Sequence, residues 1–282
     1  AVMAGLPAEN KAFIEQLRTK YNVPAATKAT FFSSQIRSQQ LFAEQIDAVL
    51  GSSADAFAAG IGLPASVIQR AAQCGKFTIS LVGSAKHALA AKAAGVDLIV
   101  AQGADAGGHT GPIGTYSLVP QVVEAAGDVP VLAAGGVGHG RHIAAAFGLG
   151  AQGVWLGTAW LTSREHAFNE ILLRQVLAAR GEDTVISKSH SGKSARLIRS
   201  AWTDEWEAPS APKPLPMPYQ QVLTGELLAA VEEHGIEALS YTGAGQGVGW
   251  FNELKTVDEI VERLVSETQG ALDQMNARLS GN

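Results

Sequence analysis

The fold is decided by one stretch, Asp97-Leu-Ile-Val-Ala-Gln-Gly-Ala-Asp-Ala-Gly-Gly-His109, in which a short apolar run passes directly into a glycine-rich loop. A short apolar run that ends in turn residues is typical of a buried strand in a parallel sheet. Glycine lets a loop adopt positive φ and lets a planar ligand approach the main chain closely. The stretch therefore predicts a strand from Asp97 to Ala101, followed by a ligand-binding loop that presents His109.

Four further apolar runs share this pattern and alternate with Ala-rich helical stretches. Strands that alternate with helices need crossover connections and hence a parallel sheet. Loops after the carboxyl ends of such strands carry the ligand sites of α/β proteins, so we expect function there. The other predicted strands are Ala56–Gly62, Phe77–Val82, Val129–Ala134 and Gly153–Gly157, and the helices between strands include Ser84–Ala94, Leu118–Ala126 and Arg141–Leu149.

Helical patterns flank these units. Before the first strand one helical face carries Phe13, Ile14 and Leu17, and a later one carries Ile36, Leu41, Ile46 and Leu50. After the fifth strand we predict helices at residues 165–179, 220–234 and 257–279. Five prolines between residues 209 and 218 exclude a regular helix or central strand there. We predict that residues 1–208 form the α/β barrel portion, and that residues 209–282 form a proline-rich linker and a helical segment. We expect that segment to pack on the barrel; the alternative is an independent subdomain.

Composition excludes several classes of protein. Among 282 residues, 46% are hydrophobic and 17% are charged, which excludes a disordered chain. A net charge of -5 offers no basic stripe for nucleic acid, and the single cysteine, Cys74, excludes an internal disulfide or a thiolate metal cage. No apolar run approaches the roughly 20 residues that span a bilayer, and residues 1–6 lack the charged start of a secretory signal. We expect a cytoplasmic protein with no metal site and no membrane or nucleic-acid partner.

Two more glycine clusters follow the next two strands. The first is Ala133-Ala-Gly-Gly-Val-Gly-His-Gly-Arg141, and the second is Gly153-Val-Trp-Leu-Gly-Thr158. Main-chain N–H groups in a strand-to-helix turn bind anions, and the start of the helix adds the positive end of its dipole. In eight-stranded barrels a phosphate commonly lies between the loops after strands seven and eight. We therefore expect these two loops to share one phosphate.

These motifs, in this order, closely resemble the nitronate monooxygenase family, formerly 2-nitropropane dioxygenases. The matching residues are Gln102–His109, Ala133–Gly136 with Gly140-Arg141, and Leu149–Val154 with Gly157-Thr158. The resemblance is strong from Asp97 to Glu165, and it continues more loosely from Ala54 to Val100 and through Gly192–Arg196 and Gly243–Gly247.

The resemblance implies a TIM (β/α)8-type barrel that binds FMN, with a carboxyl-terminal helical segment. It places the FMN phosphate on Gly135, Gly136, Gly157 and Thr158, and the flavin ring across the barrel mouth. It identifies His109 with the family's active-site histidine. The remaining expected cofactor-binding residues are Gln102, Gly103, Gly107 and Gly108, together with Gln246, whose glycine-flanked loop can fold over the cofactor.

The activity implied is the FMN-dependent oxidation of alkyl nitronates or nitroalkanes with dioxygen. His109 would deprotonate a neutral nitroalkane, or would orient an anionic nitronate. Two alternatives stay open at this point. One is an FMN-containing, NAD(P)H-dependent enoyl-acyl-carrier-protein reductase, whose motifs look nearly the same; the other is a flavin-binding remnant without turnover.

The strand count departs from the family pattern. Only five strands are evident, and by motif they match the last five of the family's eight, so the first βα units are missing from this sequence. Five strands cannot close a barrel: either the sequence is a fragment, or an unclosed sheet covers its edges in another way. We favour a missing amino-terminal portion, and an exposed sheet edge favours a homo-oligomer.

Several polar residues near the motifs have a less specific interpretation. Asp105 stands where the family usually has Glu, and we expect it to tie down its own loop. His139 and His142 are interpreted as exposed residues at a helix start. We expect a solvated hairpin or loop for the basic cluster Lys188, His190, Lys193 and Arg196; the alternative is that the cluster guides an anionic substrate to the barrel mouth.

Overall fold

The computed structural model describes residues 3–27, 39–60 and 64–281. Five parallel strands form one sheet in the order β1-β2-β3-β5-β6, and the two-residue strand β4 belongs to a second sheet. All five predicted strands are confirmed, Phe77–Val82 with its exact bounds and the others with shifted ends. Residues 61–62 of the first prediction, like Ile36, lie outside the described residues. The strands are β1 Ala56–Gly60, β2 Phe77–Val82, β3 Leu98–Gln102, β4 Gly108–His109, β5 Val131–Ala134 and β6 Gly153–Trp155.

The first six described helices precede or connect these strands. They are α1 Ala8–Lys20, α2 Gln39–Leu50, α3 Ala65–Gln73, α4 Ala85–Ala93, α5 Thr115–Ala126 and α6 Gly140–Gly148. Helices α3 to α6 supply the crossovers that a parallel sheet requires. Ile99 of β3 is fully buried with Leu118 and Val122 of α5, which sets the core between the sheet and its helices.

The parallel sheet is open. Among residues 3–27, 39–60 and 64–281, no hydrogen-bonded ladder joins β1 to β6, so the α/β fold is confirmed as a barrel-type sheet that does not close. At the β1 edge, Ile46 and Leu50 of α2 pack with Phe57. A helix that covers an edge strand limits its pairing with other chains.

A three-stranded antiparallel sheet, in the order β4-β8-β7, follows a helix, α7 (Glu170–Ala178). The strands β7 (Thr184–Ser187) and β8 (Ala195–Ile198) form a hairpin at the residues for which we expect a hairpin or a loop, although no strand bounds were predicted there. Lys188 and Lys193 are exposed as expected, but the interpretation of Arg196 as solvated is wrong. Arg196 is buried because its Nε and Nη1 donate to the Ala104 carbonyl and the Thr184 hydroxyl.

The remaining helices are α8 (Ala201–Glu207), α9 (Tyr219–Glu233) and α10 (Val257–Leu279), with the proline-rich residues between α8 and α9 outside regular structure. Helix α1 packs against α8 and α9, where Leu17, Trp202 and Leu223 form one buried cluster. Helix α10 packs on α6. The first and last long helices therefore pack on different partners, α1 on α8 and α9, and α10 on α6.

Leu17→Ala tests this packing. Leu17 is 1% exposed, so the truncation removes buried apolar surface and leaves a cavity, and we expect the free energy of unfolding to fall by about 2–5 kcal/mol. Urea denaturation followed by circular dichroism measures the change. The matched control is Leu89→Ala, at a residue that is 56% exposed on α4. Equal effects of the two substitutions would contradict the packing of α1.

Candidate active site

The carboxyl ends of β3, β5 and β6 lie side by side at one edge of the sheet. Gln102 is in register with Ala134, and Ala134 with Trp155. The N–H of Gly103 donates to the Ala134 carbonyl at 3.0 Å, which extends the pairing into the loop. The fold therefore brings together the three glycine clusters that the sequence singles out.

The loop after β3 is fixed by Asp105. Its Oδ2 accepts a hydrogen bond from the Thr115 N–H at 2.7 Å, at the first residue of α5. A carboxylate at this position accepts a hydrogen bond from a helix N–H group that would otherwise lack a partner, and its negative charge interacts favourably with the positive end of the helix dipole. Asp105 thus ties down its own loop, as expected.

The loops after β5 and β6 present main-chain donors. Gly135 and Gly136 have φ of 106° and 74°, a conformation that glycine adopts without strain. Within the described part of the chain, the N–H groups of Gly136 and Gly157 donate to no acceptor. A Cβ added to Gly157 would meet nothing within 4 Å. N–H groups without an acceptor, beside open space at the carboxyl ends of β5 and β6, are suited to bind a phosphate.

The start of α6 is not open to a ligand in the same way. Glu267 of α10 accepts from the Gly140 N–H at 2.9 Å, and His139 Nδ1 accepts from the Arg141 N–H. His142 Nδ1 accepts from the Gly138 N–H at 3.1 Å; burial, and then the nearby His139, lower its pKa, which suits a neutral acceptor. Both histidines lie at the helix start. His142 is exposed, as expected, whereas the expectation that His139 is exposed is wrong, because its side chain is only 21% accessible.

A second glycine-rich segment, residues 243–249, covers these loops. The N–H of Gln246 donates to the Asp105 carbonyl, and the N–H of Gly245 donates to Thr158 Oγ1, both at 2.9 Å. The segment therefore joins the loops after β3 and β6. The Gln246 side chain is exposed and lines a cavity of about 580 Å³ with Arg180 and Asn252.

His109 is held from both sides. The Gln102 amide donates to the His109 carbonyl at 2.7 Å, and β4 pairs with β8, His109 opposite Ala195. His109 Nε2 lies 2.5 Å from the Oγ of Ser191, a fully buried residue. The imidazole therefore has a fixed direction at the edge where the glycine loops meet.

A second histidine lies beside it. The ring centroids of His109 and His190 are 6.1 Å apart, and His190 Nδ1 lies 2.7 Å from the Tyr241 hydroxyl. Burial raises the pKa of Tyr241, so its hydroxyl keeps its proton across the physiological range.

Sequence reasoning missed Ser191 and Tyr241 and interpreted His190 as part of a solvated hairpin or loop. The available signal was the loose family match at Gly192–Arg196, which directly follows Ser191. Neither residue has a spacing to His109 that would predict the contact. The hairpin of β7 and β8 brings Ser191 to His109, and Tyr241 bonds the adjacent His190.

Unpaired donors, an oriented imidazole and a common sheet edge are features of α/β enzymes that bind phosphorylated ligands. The nitronate monooxygenase family model matches residues 3–267, and the chain belongs to that family. This membership confirms the predicted enzyme class, an FMN-dependent oxidoreductase of the nitronate monooxygenase type.

Individual relatives agree with this class. A candidate monooxygenase of Mycobacterium tuberculosis is 39% identical over 280 residues, which cover 96% of this chain and 75% of the relative. A candidate nitronate monooxygenase of Staphylococcus aureus is 35% identical over 223 residues, which cover 75% of this chain and 62% of the relative. The match to the staphylococcal protein thus spans less than two thirds of that protein's length.

Solved structures show the same fold. A nitroalkane oxidase from Streptomyces ansochromogenes is 27% identical, with a TM-score of 0.79 over 96% of this chain and 79% of that one. FabK from Thermotoga maritima is 29% identical, with a TM-score of 0.73 over 86% of this chain and 77% of that one.

The described residues can be searched for a membrane-spanning helix and for a cluster of metal ligands. In residues 3–27, 39–60 and 64–281, no helix has the length and apolar character to cross a membrane. Over the same ranges, no three His, Cys, Asp or Glu side chains gather as a metal site would require.

Gly135→Ala tests the loop after β5. Alanine would be strained at φ of 106°, and its Cβ would lie 2.8 Å from Thr115 Oγ1, so we expect a loss of about 1–3 kcal/mol in the free energy of unfolding. The control is Gly148→Ala in α6, where a Cβ meets nothing within 4 Å and alanine should add about 0.4–1 kcal/mol. Thermal denaturation of both variants gives the answer; a Gly135→Ala protein as stable as wild type would contradict the loop conformation.

Proposed function

We propose that the protein oxidises alkyl nitronates with dioxygen, using FMN bound where β3, β5 and β6 end. The observation that carries the proposal is the position of His109, which is fixed by Gln102 and Ser191 at the edge that also presents the N–H groups of Gly136 and Gly157. Family membership supports the reaction class, and the fold shared with a nitroalkane oxidase supports a nitro-compound substrate.

We expect different glycine loops to bind the phosphate and the ring of FMN. Bound FMN would supply the redox chemistry, accepting electrons from the substrate and passing them to dioxygen. We assign its phosphate to Gly135, Gly136, Gly157 and Thr158. We assign its ring to a position beside Gln102, Gly103, Gly107 and Gly108, next to the segment that carries Gln246.

His109 would act on the substrate. A neutral imidazole at this position removes the proton next to the nitro group of a nitroalkane, whereas a protonated imidazole neutralises and orients a nitronate. The contact between Nε2 and the Ser191 hydroxyl keeps the ring in one direction for either role. Ser191 is therefore a positioning residue.

A second candidate function is the reduction of an enoyl thioester by NAD(P)H. The similarity to FabK structures supports this second candidate, and the enoyl reductase domain of MlnA shares the fold. Stopped-flow spectroscopy separates the two functions. The nitronate function predicts rapid flavin bleaching by ethyl nitronate and none by NADH; bleaching by NADH alone would favour the reductase.

His109→Asn tests the role of the imidazole. Asparagine keeps a polar side chain but cannot exchange a proton near neutral pH, so we expect kcat/KM for nitroethane to fall about 10²–10⁴-fold while flavin content stays unchanged. The control is His87→Asn, on the exposed face of α4. Oxygen consumption measures the rate, and absorbance at the flavin band measures the content. Unchanged turnover in the His109 variant would overturn the assignment.

A further inference from the structure

A partly enclosed cavity of about 270 Å³ lies between α7 and α9. Side chains of Ile171 and Leu172 on α7 face those of Leu228 and Ala229 on α9 across it. Pockets with predominantly apolar walls and a few polar groups are the usual form of small-molecule sites.

The cavity adjoins the candidate active site. His190 and Tyr241 line it, and the His190 ring lies 6.1 Å from that of His109. His190 is therefore the residue common to the cavity wall and the surroundings of His109.

One polar side chain in the wall is unpaired. Gln221 is 7% exposed and lines the cavity, and within the described part of the chain its amide makes no hydrogen bond. The neighbouring Gln220, by contrast, bonds the Ser189 carbonyl and the Leu215 N–H. Neither amide atom of Gln221 is among the buried polar atoms that lack a partner in the described residues, so the amide faces the open cavity and can exchange solvent for a hydrogen-bonding group of a ligand.

We propose that this cavity binds the carbon chain of the substrate, and that Gln221 selects chains that carry a carbonyl or ester oxygen. The inference rests on the proposed function and narrows its substrate class to nitronates with an extended, oxygen-bearing chain. Ala229 and Leu172 then determine the length of chain that fits.

Chain length gives the first test. For primary nitronates from ethyl to octyl, burial of each methylene should raise kcat/KM about fourfold until the cavity is full. Ala229→Leu should move the optimum to shorter chains, and Leu172→Ala should move it to longer ones. The controls Ala90→Leu and Leu89→Ala, at exposed positions of α4, should leave it in place. A wild-type rate independent of chain length would overturn the inference and leave the proposed function standing.

The polar anchor gives the second test. Wild type should prefer the nitronate of methyl 4-nitrobutanoate over that of 1-nitrohexane, and Gln221→Leu should abolish the preference while KM for the plain alkyl nitronate stays the same or falls. A preference that survives the substitution would exclude Gln221 as the anchor.

Binding of methyl octanoate, measured by isothermal titration calorimetry on the flavin-loaded protein, separates the cavity from the reaction. We expect binding that Ala229→Leu weakens at least tenfold and Ala90→Leu leaves unchanged. If this result is obtained while no nitronate is oxidised, the proposed function fails and the cavity stands. If methyl octanoate does not bind, the cavity proposal fails.

Discussion

The site depends on a backbone-to-backbone contact between the loop after β3 and residues 243–247. A Cβ on Gly107 would lie 2.6 Å from the Ala244 carbonyl carbon, so a side chain at this position would separate the two segments. Their contact continues through the hydrogen bond from Gln246 to Asp105. Since β4 follows directly in this loop and pairs with β8, the same contact fixes the direction of His109.

The distribution of carboxylates complements that arrangement. Asp105 occupies the start of α5 and Glu267 the start of α6, so both helix ends already carry a negative partner from the protein. By contrast, the N–H groups of Gly136 and Gly157 have no such negative partner among the described residues. An anion is therefore favoured at the strand ends themselves and not at the helix starts, which refines the phosphate site expected from the sequence.

Most of the sheet could be predicted because each parallel strand is an apolar run ending in glycine, and the run before His109 is confirmed as β3. At β7 and β8 the sequence allows either a hairpin or a loop, and the two strands could not be placed, because each is four residues long and the first follows a polar stretch. The contacts of His109 were hidden for a related reason: Ser191 is 82 residues away in the chain, and only the pairing of β4 with β8 brings it near. The predicted division at residue 208 and the assigned cofactor residues stay predictions.

The central claim is that the ends of β3, β5 and β6 hold one FMN. The most direct measurement is the electron density of crystals of the protein grown with FMN. The account predicts a phosphate within hydrogen-bond distance of the N–H groups of Gly136 and Gly157, with the ring beside Gln102 and His109. Flavin density at another edge of the sheet, or crystals that take up no flavin, would contradict it.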